Sequence, residues 1–166
     1  MTRPLLLKIS KVYRRPLIVF YLETPPPKGD RGQDFRQLPE DYSLAEDALI
    51  DALVRDIRAR QSIIRAAMED EDEGFPLPFV GSATINEGIE RISASIQATI
   101  GFDLHEFRAQ GTVPEAFAYL RTKAEAVGVF VLLIGDLGRH HSRIAVETFR
   151  GFASADPVAP FVIISA

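Results

Sequence analysis

The sequence predicts an α+β protein: N-terminal helices followed by a small sheet of about three strands. Three observations carry that prediction. Apolar residues recur at helical spacing through most of the first 127 positions. After Gly128 the pattern changes to continuous β-branched and aromatic runs, "VFVLLI" and "FVIIS". With 166 residues of which 46% are apolar, the chain can also fill one medium domain, or a domain plus a small appendage, with a real core.

The elements follow in order. Leu6, Ile9 and Tyr13 predict a helix over Leu5–Arg15, ended by Pro16, which lacks a donor and restricts Arg15. A short apolar element, "LIVFYL", comes next. The stretch "ETPPPKGDRGQ" is proline-rich and charged, the composition of an extended connector. Ser43 and Glu46 form a capping-box pattern that opens a long amphipathic helix to about Glu69, with Leu49, Leu53, Ile57, Ile64 and Met68 on one face. Five consecutive acids, Glu69 to Glu73, oppose the macrodipole at its end and predict a frayed last turn.

"FPLPFVG" predicts an extended segment pinned to the core. Ile89, Ile92, Ile96 and Ile100 mark another helix, stopped by Gly101. Asp103 caps a short turn of helix. Pro114 suits a first helical position, and Phe117, Leu120, Ala124 and Val127 form the inward face of a further helix that Gly128 ends. "VFVLLI" reads as a strand covered on both faces, "GDLGRHHS" as a loop, "TFRGFASA" as a weak strand, "DPVAP" as a turn and "FVIIS" as a returning strand.

Composition excludes several function classes. The chain has no cysteine, so it holds no disulfide framework, thiolate metal site or cysteine nucleophile, and the cytoplasm is the predicted compartment. Its longest apolar runs are less than half the roughly 20 residues of a spanning helix, and the N-terminus lacks a signal-peptide pattern; no membrane partner is expected. A net charge of −4 argues against indiscriminate nucleic-acid binding. The charge is uneven: residues 1–36 hold eight bases (Arg3, Lys8, Lys11, Arg14, Arg15, Lys28, Arg31, Arg36) against Glu23, Asp30 and Asp34, a balance of +5 that leaves −9 for the rest.

The chemistry-bearing residues do not assemble into an active site. His140 and His141 are adjacent in a glycine-flanked loop, where neighbours rarely converge on one ion, and His105 sits beside Glu106 on a short helix. The acid run lacks the alternating ligands and turn glycine of a calcium loop. "LIGDLG" does not open a helix and is no phosphate-binding fingerprint. No serine lies in a nucleophile elbow. Lys11, Arg14 and Arg15, at the end of a basic amphipathic helix, are candidate phosphate contacts, against the simpler reading of an ordinary charged helix end.

Three stretches together resemble a family. "KISKVYRRPLIVFYLETPPPKGDRGQDFRQLP" resembles the segment joining an Xre-type helix-turn-helix domain to an ImmA/IrrE-type metallopeptidase domain in bacterial regulators. "IRARQSIIRAAMEDEDEGFPLPFVG" is similar to the helix and loop that follow. "LRTKAEAVGVFVLLIGDLG", with "TFRGFASADPVAPFVIISA", resembles the helix and strands that begin the zincin-like peptidase domain. The resemblance implies a helix-turn-helix remnant over 1–22, a proline-rich connector over 23–40 and the first part of an ImmA/IrrE-like domain over 41–166.

In that family the strand matched by "PFVIIS" leads into a helix bearing H-E-x-x-H, whose histidines hold zinc while the Glu activates water. This chain reaches Ala166 without that motif, and has Ser165 where relatives commonly have Asn. The resemblance thus implies an incomplete regulatory protein with no cofactor in this chain, zinc in full-length relatives, and no peptidase activity of its own. Relatives cleave repressors in stress or mobile-element control, so the partners implied are a repressor or a second copy, with DNA reached only through the missing recognition helix. Arg150, Gly151 and Phe152 mark a candidate substrate-edge strand, against the reading of an ordinary sheet strand. The alternatives are a non-catalytic interaction or sensory module on the same scaffold, or one half of a split peptidase. An uncovered apolar face at Phe161 to Ile164 would favour the first reading over the stand-alone module.

Overall fold

The computed structural model describes residues 2–26, 44–134 and 150–165. The capping box at Ser43, His140 and His141, and most of the connector lie outside them. Helix α1 (Arg3–Val12) and a short 3-10 turn (Leu17–Tyr21) come first. Then follow α2 (Leu44–Asp70), a 3-10 turn (Ile85–Glu87), α3 (Ile89–Ile100), α4 (Leu104–Arg108) and α5 (Val113–Ala126). Strands β1 (Phe130–Ile134), β2 (Gly151–Ser154) and β3 (Phe161–Ser165) close the order, so the fold is α+β with helices ahead of a small mixed sheet. The chain divides into two compact units, residues 1–60 with 133–151 and 165–166, and residues 61–132 with 152–164.

In the first unit, Pro4 stands in the opening turn of α1, where its missing N–H costs nothing. Leu6 is buried, while Leu5, Leu7 and Val12 are exposed. The helix closes tightly: the Tyr13 N–H donates to the Ile9 carbonyl at 2.9 Å and the Arg15 N–H to the Ser10 carbonyl at 3.1 Å. Arg14 between them takes a left-handed backbone, φ 48°, before Pro16 forbids further helix. On α2 the buried stripe of this unit is Leu49, Ile50, Leu53, Val54 and Ile57, wide enough to anchor a helix of about 40 Å at 1.5 Å per residue.

The second unit begins at Gln61. The acidic end of α2 is not frayed. Asp72 adopts the left-handed conformation (φ 57°), its N–H reaches the Glu69 carbonyl at 3.3 Å, and the Glu73 N–H reaches the Met68 carbonyl at 2.8 Å. That is a Schellman closure with Asp in the place usually taken by glycine, and the satisfied carbonyls outweigh the unfavourable charge. The "FPLPF" segment is pinned as expected: the Leu77 N–H donates to the Pro157 carbonyl at 2.7 Å. A Cβ on Gly128 would stand 3.1 Å from Leu77 Cδ1, and Gly128 has φ 90°. Only glycine suits both demands.

Asp103 caps α4, its Oδ1 accepting from the N–H groups of His105 (2.7 Å) and Glu106 (3.0 Å). Phe102, Phe107 and Tyr119 cluster with ring centroids 5.5–6.1 Å apart, and the Tyr119 hydroxyl accepts from the Asp103 N–H at 2.9 Å. These contacts hold α4 on α5. Helix α5 begins one residue before Pro114, with Thr112 as its cap.

The sheet order is β1-β3-β2. The Phe130 N–H donates to the Pro160 carbonyl at 2.9 Å, joining the starts of β1 and β3 and making them parallel. The Ser165 N–H donates to the Arg150 carbonyl at 3.1 Å, joining the end of β3 to the start of β2 and making that pair antiparallel. β3, last in sequence, is central. Its residues alternate: Phe161 and Ile163 are fully buried, Val162 and Ile164 only half-buried.

Candidate functional site

The half-buried side of the sheet forms the floor of an open apolar groove in the second unit, about 460 Å³ in volume. Val129 and Val131 from β1 and its approach, with Val162 and Ile164 from β3, make the floor. Ile92, Ile96 and Ile100 of α3 form one wall, and Phe117, Leu120 and Ala124 of α5 the other. Phe79 closes one side. The inward face foreseen for α5 therefore lines a space rather than a filled core. Strand β1 is likewise not covered on both faces, and Leu133 is 46% exposed. A continuous apolar run shows that burial is favourable; it does not show which residues supply the cover.

Few polar groups face this groove, and most are already engaged. The Ser82 hydroxyl donates to the Phe79 carbonyl, the Thr99 hydroxyl to the Ser95 carbonyl, each at 2.8 Å. Arg121 Nε donates to Glu125 Oε1 at 2.8 Å. No acid–base pair points into the space among the described residues, so the groove is built for apolar recognition rather than bond making.

A second feature fixes the β2–β3 hairpin. Gln61 is a polar residue 8% exposed, in the helical register of the buried stripe four residues after Ile57. Its Nε2 donates to the carbonyls of Ser154 (2.9 Å) and Ala159 (2.8 Å), and its Oε1 accepts from the Ser154 hydroxyl (2.9 Å). Next to it Asp156 Oδ1 accepts from the N–H groups of Val158 and Ala159, both at 2.9 Å, and Oδ2 meets Arg65 Nη1 at 3.0 Å. Burial pushes the Asp156 carboxyl up, but these two backbone donors and the Arg65 guanidinium together hold it below the ordinary range. The turn between the strands is thereby set by α2 side chains.

The candidate edge strand is β2, which stands at one end of the described sheet order. Arg150 is exposed just before it; Gly151, at φ 152°, and Phe152 are buried, and Ala153 is exposed. Lys11 is exposed on the last turn of α1, and Arg14 and Arg15 are half-buried at its end. The structure adds a residue that spacing did not reveal. Arg55 Nη2 donates to the Arg14 carbonyl at 2.9 Å, bringing a third guanidinium to this corner.

His105 is exposed on α4, Glu106 meets Lys123 at 3.4 Å, and among the described residues no three His, Asp or Glu side chains gather as ligands would. Among the described residues no helix is long and apolar enough to cross a membrane. Ser165 Oγ is buried and has no hydrogen-bond partner among the described residues. The chain matches no family model, no curated protein and no solved structure.

Proposed function

We propose that this chain is the scaffold portion of an Xre-linked ImmA/IrrE-type regulatory peptidase, and that its groove seats the amphipathic helix that carries the metal ligands. The observation that carries this reading is the open apolar floor formed by Val131, Val162 and Ile164 between α3 and α5. A sheet face only partly covered, with Val162 and Ile164 half-buried between two helices, favours an amphipathic helix, whose apolar stripe fills the space while its polar side meets water. The order of elements, helices and then strands, is that of the resembled domain. These 166 residues contain no H-E-x-x-H, so in this reading they hydrolyse no peptide alone and the helix is supplied from outside them, in the same polypeptide or by a partner. Strand β2, at one end of the described sheet order, is in this reading the strand that pairs with the backbone of a substrate such as a repressor.

The cysteine-free sequence makes a clean test. Val162→Cys in the groove and Arg108→Cys on α4 are labelled with a maleimide, with and without a synthetic amphipathic helix containing H-E-x-x-H. Slower labelling at 162 only, with zinc bound by the mixture and not by the chain alone, is the expected result. Unchanged labelling at 162 refutes the reading. Protection by an apolar helix lacking the histidines, with no preference for the zinc-ligand peptide, favours the non-catalytic interaction module instead.

A further inference from the structure

The two helical walls of the groove carry apolar stripes that run past it. On α3 the lining residues Ile92, Ile96 and Ile100 are continued in register by Ile89, the first residue of the helix, which is 88% exposed. On α5 the stripe Phe117, Leu120, Ala124 and Val127 begins at Val113, again the first residue and 84% exposed, in alternating steps of four and three. That spacing is the one at which helices pack side by side. At 1.5 Å per residue the stripes are on the order of 16 Å long on α3 and 21 Å on α5, so the walls fit a helix of about three turns or more rather than a small apolar molecule.

Charge narrows the choice of helix. Among the described residues that line the groove, Arg121 is the one charged side chain. In helical register it stands next to Leu120 at the flank of the α5 stripe, the place from which paired helices exchange ion pairs. The corresponding flanks of α3 are Ser93 and Ser95, which carry no charge. Arg121 Nε donates to Glu125 Oε1 at 2.8 Å, an i,i+4 contact in which the two side chains stay 42% and 43% exposed. An exposed pair of this kind contributes little. A guanidinium has five donors and this contact uses one, so a second carboxylate can bind without displacing the first. Lys123, on the other flank of α5, meets Glu106 at 3.4 Å and lies 5.2 Å from the Tyr119 ring centre.

We propose that the helix seated in the groove carries an acidic side chain beside its apolar stripe and that Arg121 binds it, so that Arg121 selects which helix is accepted. The inference rests on the reading that the groove seats a helix. The acid is a residue other than the glutamate of H-E-x-x-H, which in that reading activates water.

Synthetic helical peptides sharing one apolar stripe and one H-E-x-x-H are compared on the full chain by fluorescence anisotropy. They carry glutamate along one flank of the stripe, glutamate along the other, glutamine on both, or lysine on both. One glutamate peptide is expected to bind about fivefold more tightly than the glutamine peptide, a preference that shrinks with added salt. Arg121→Gln is expected to abolish the preference and leave the affinity for the glutamine peptide unchanged. Arg121→Glu turns the preference toward lysine, and Glu125→Gln, which removes the acid already on Arg121, increases the preference for glutamate. A preference below about twofold, or one that survives in Arg121→Gln, overturns the proposal. Maleimide labelling of Val162→Cys separates that failure from failure of the seating reading. Equal protection by the glutamate and glutamine peptides keeps a helix in the groove and removes only the role of Arg121, whereas no protection by any peptide removes both. A chain that is dimeric and protected at 162 without peptide assigns the groove to a second copy and likewise overturns the proposal.

Discussion

Replacing Gln61 by Leu tests whether a buried amide sets the hairpin that ends the sheet. Leucine is close in volume and belongs in the apolar stripe that Gln61 interrupts, so simple hydrophobic reasoning expects a gain. The hydrogen bonds expect a loss. The amide makes three, to the Ser154 carbonyl, the Ala159 carbonyl and the Ser154 hydroxyl. At about 1 kcal/mol each, with a further cost for leaving the buried Ala159 carbonyl unpaired, the loss is about 3–5 kcal/mol. Burying a Leu side chain returns about 1 kcal/mol once the methylenes Gln already buries are discounted. The net destabilisation of about 2–4 kcal/mol lowers the melting midpoint by on the order of 5–15 °C for a chain of this length. Circular dichroism during a thermal ramp reads it, with Glu90→Ala on exposed α3 as a control. Gln61→Glu sharpens the test. Protonated, its acid can donate to one carbonyl, whereas the ionised form faces two carbonyl oxygens, so this variant loses stability as pH rises above the free-carboxyl value of about 4.3. A Leu variant that melts at or above the wild-type midpoint refutes the reasoning.

Two further outcomes follow from residues already placed. Asp72→Gly removes a side chain from a left-handed position and an acid from the end of α2, and raises stability by about 0.5–1 kcal/mol in urea unfolding; no gain would mean the Schellman closure is not formed. Asp156 has a carboxyl lowered in the folded chain, so its contribution is present above the ordinary Asp value of 3.8 and is lost as pH falls through the folded value. Asp156→Asn keeps an acceptor for Val158 and Ala159 but loses the charge opposite Arg65. It should cost about 1 kcal/mol at pH 7 and show a shallower acid loss than wild type below pH 4, measured as midpoint against pH; parallel curves would sink this account.

Much of the fold was legible because local signals agreed with it. Gly101 and Asp103 mark helix ends through backbone chemistry that needs no tertiary partner, and the structure ends and begins helices there, whereas α1, expected to run to Arg15 before Pro16, already ends at Val12 because the Tyr13 and Arg15 N–H groups close it on Ile9 and Ser10. The acidic end of α2 was misread because charge was weighed and backbone hydrogen bonds were not. Aspartate tolerates the left-handed region better than most residues, so "EDEDEG" carried a closure signal as well as a repulsive one. The groove was partly legible: Phe117, Leu120 and Ala124 are recognisably one face, but a pattern of apolar residues is the same whether its partner is present or not. Gln61 was legible in principle, as a polar residue in register with Ile57 and Ile64. Arg55 was not, because nothing local tells an arginine on a long helix that its partner lies some forty residues away.

The central place of β3 has a consequence for how the sheet is made. Among the described strands β1 and β2 do not pair with each other; each pairs with the strand that is synthesised after both. The sheet therefore cannot grow outward from an early hairpin, and emergence of residues 161–165 from the ribosome is its nucleating event. Until then β1 is an unpaired apolar strand, exposed for the roughly thirty residues between the two. At about 5–20 residues per second that interval lasts on the order of seconds.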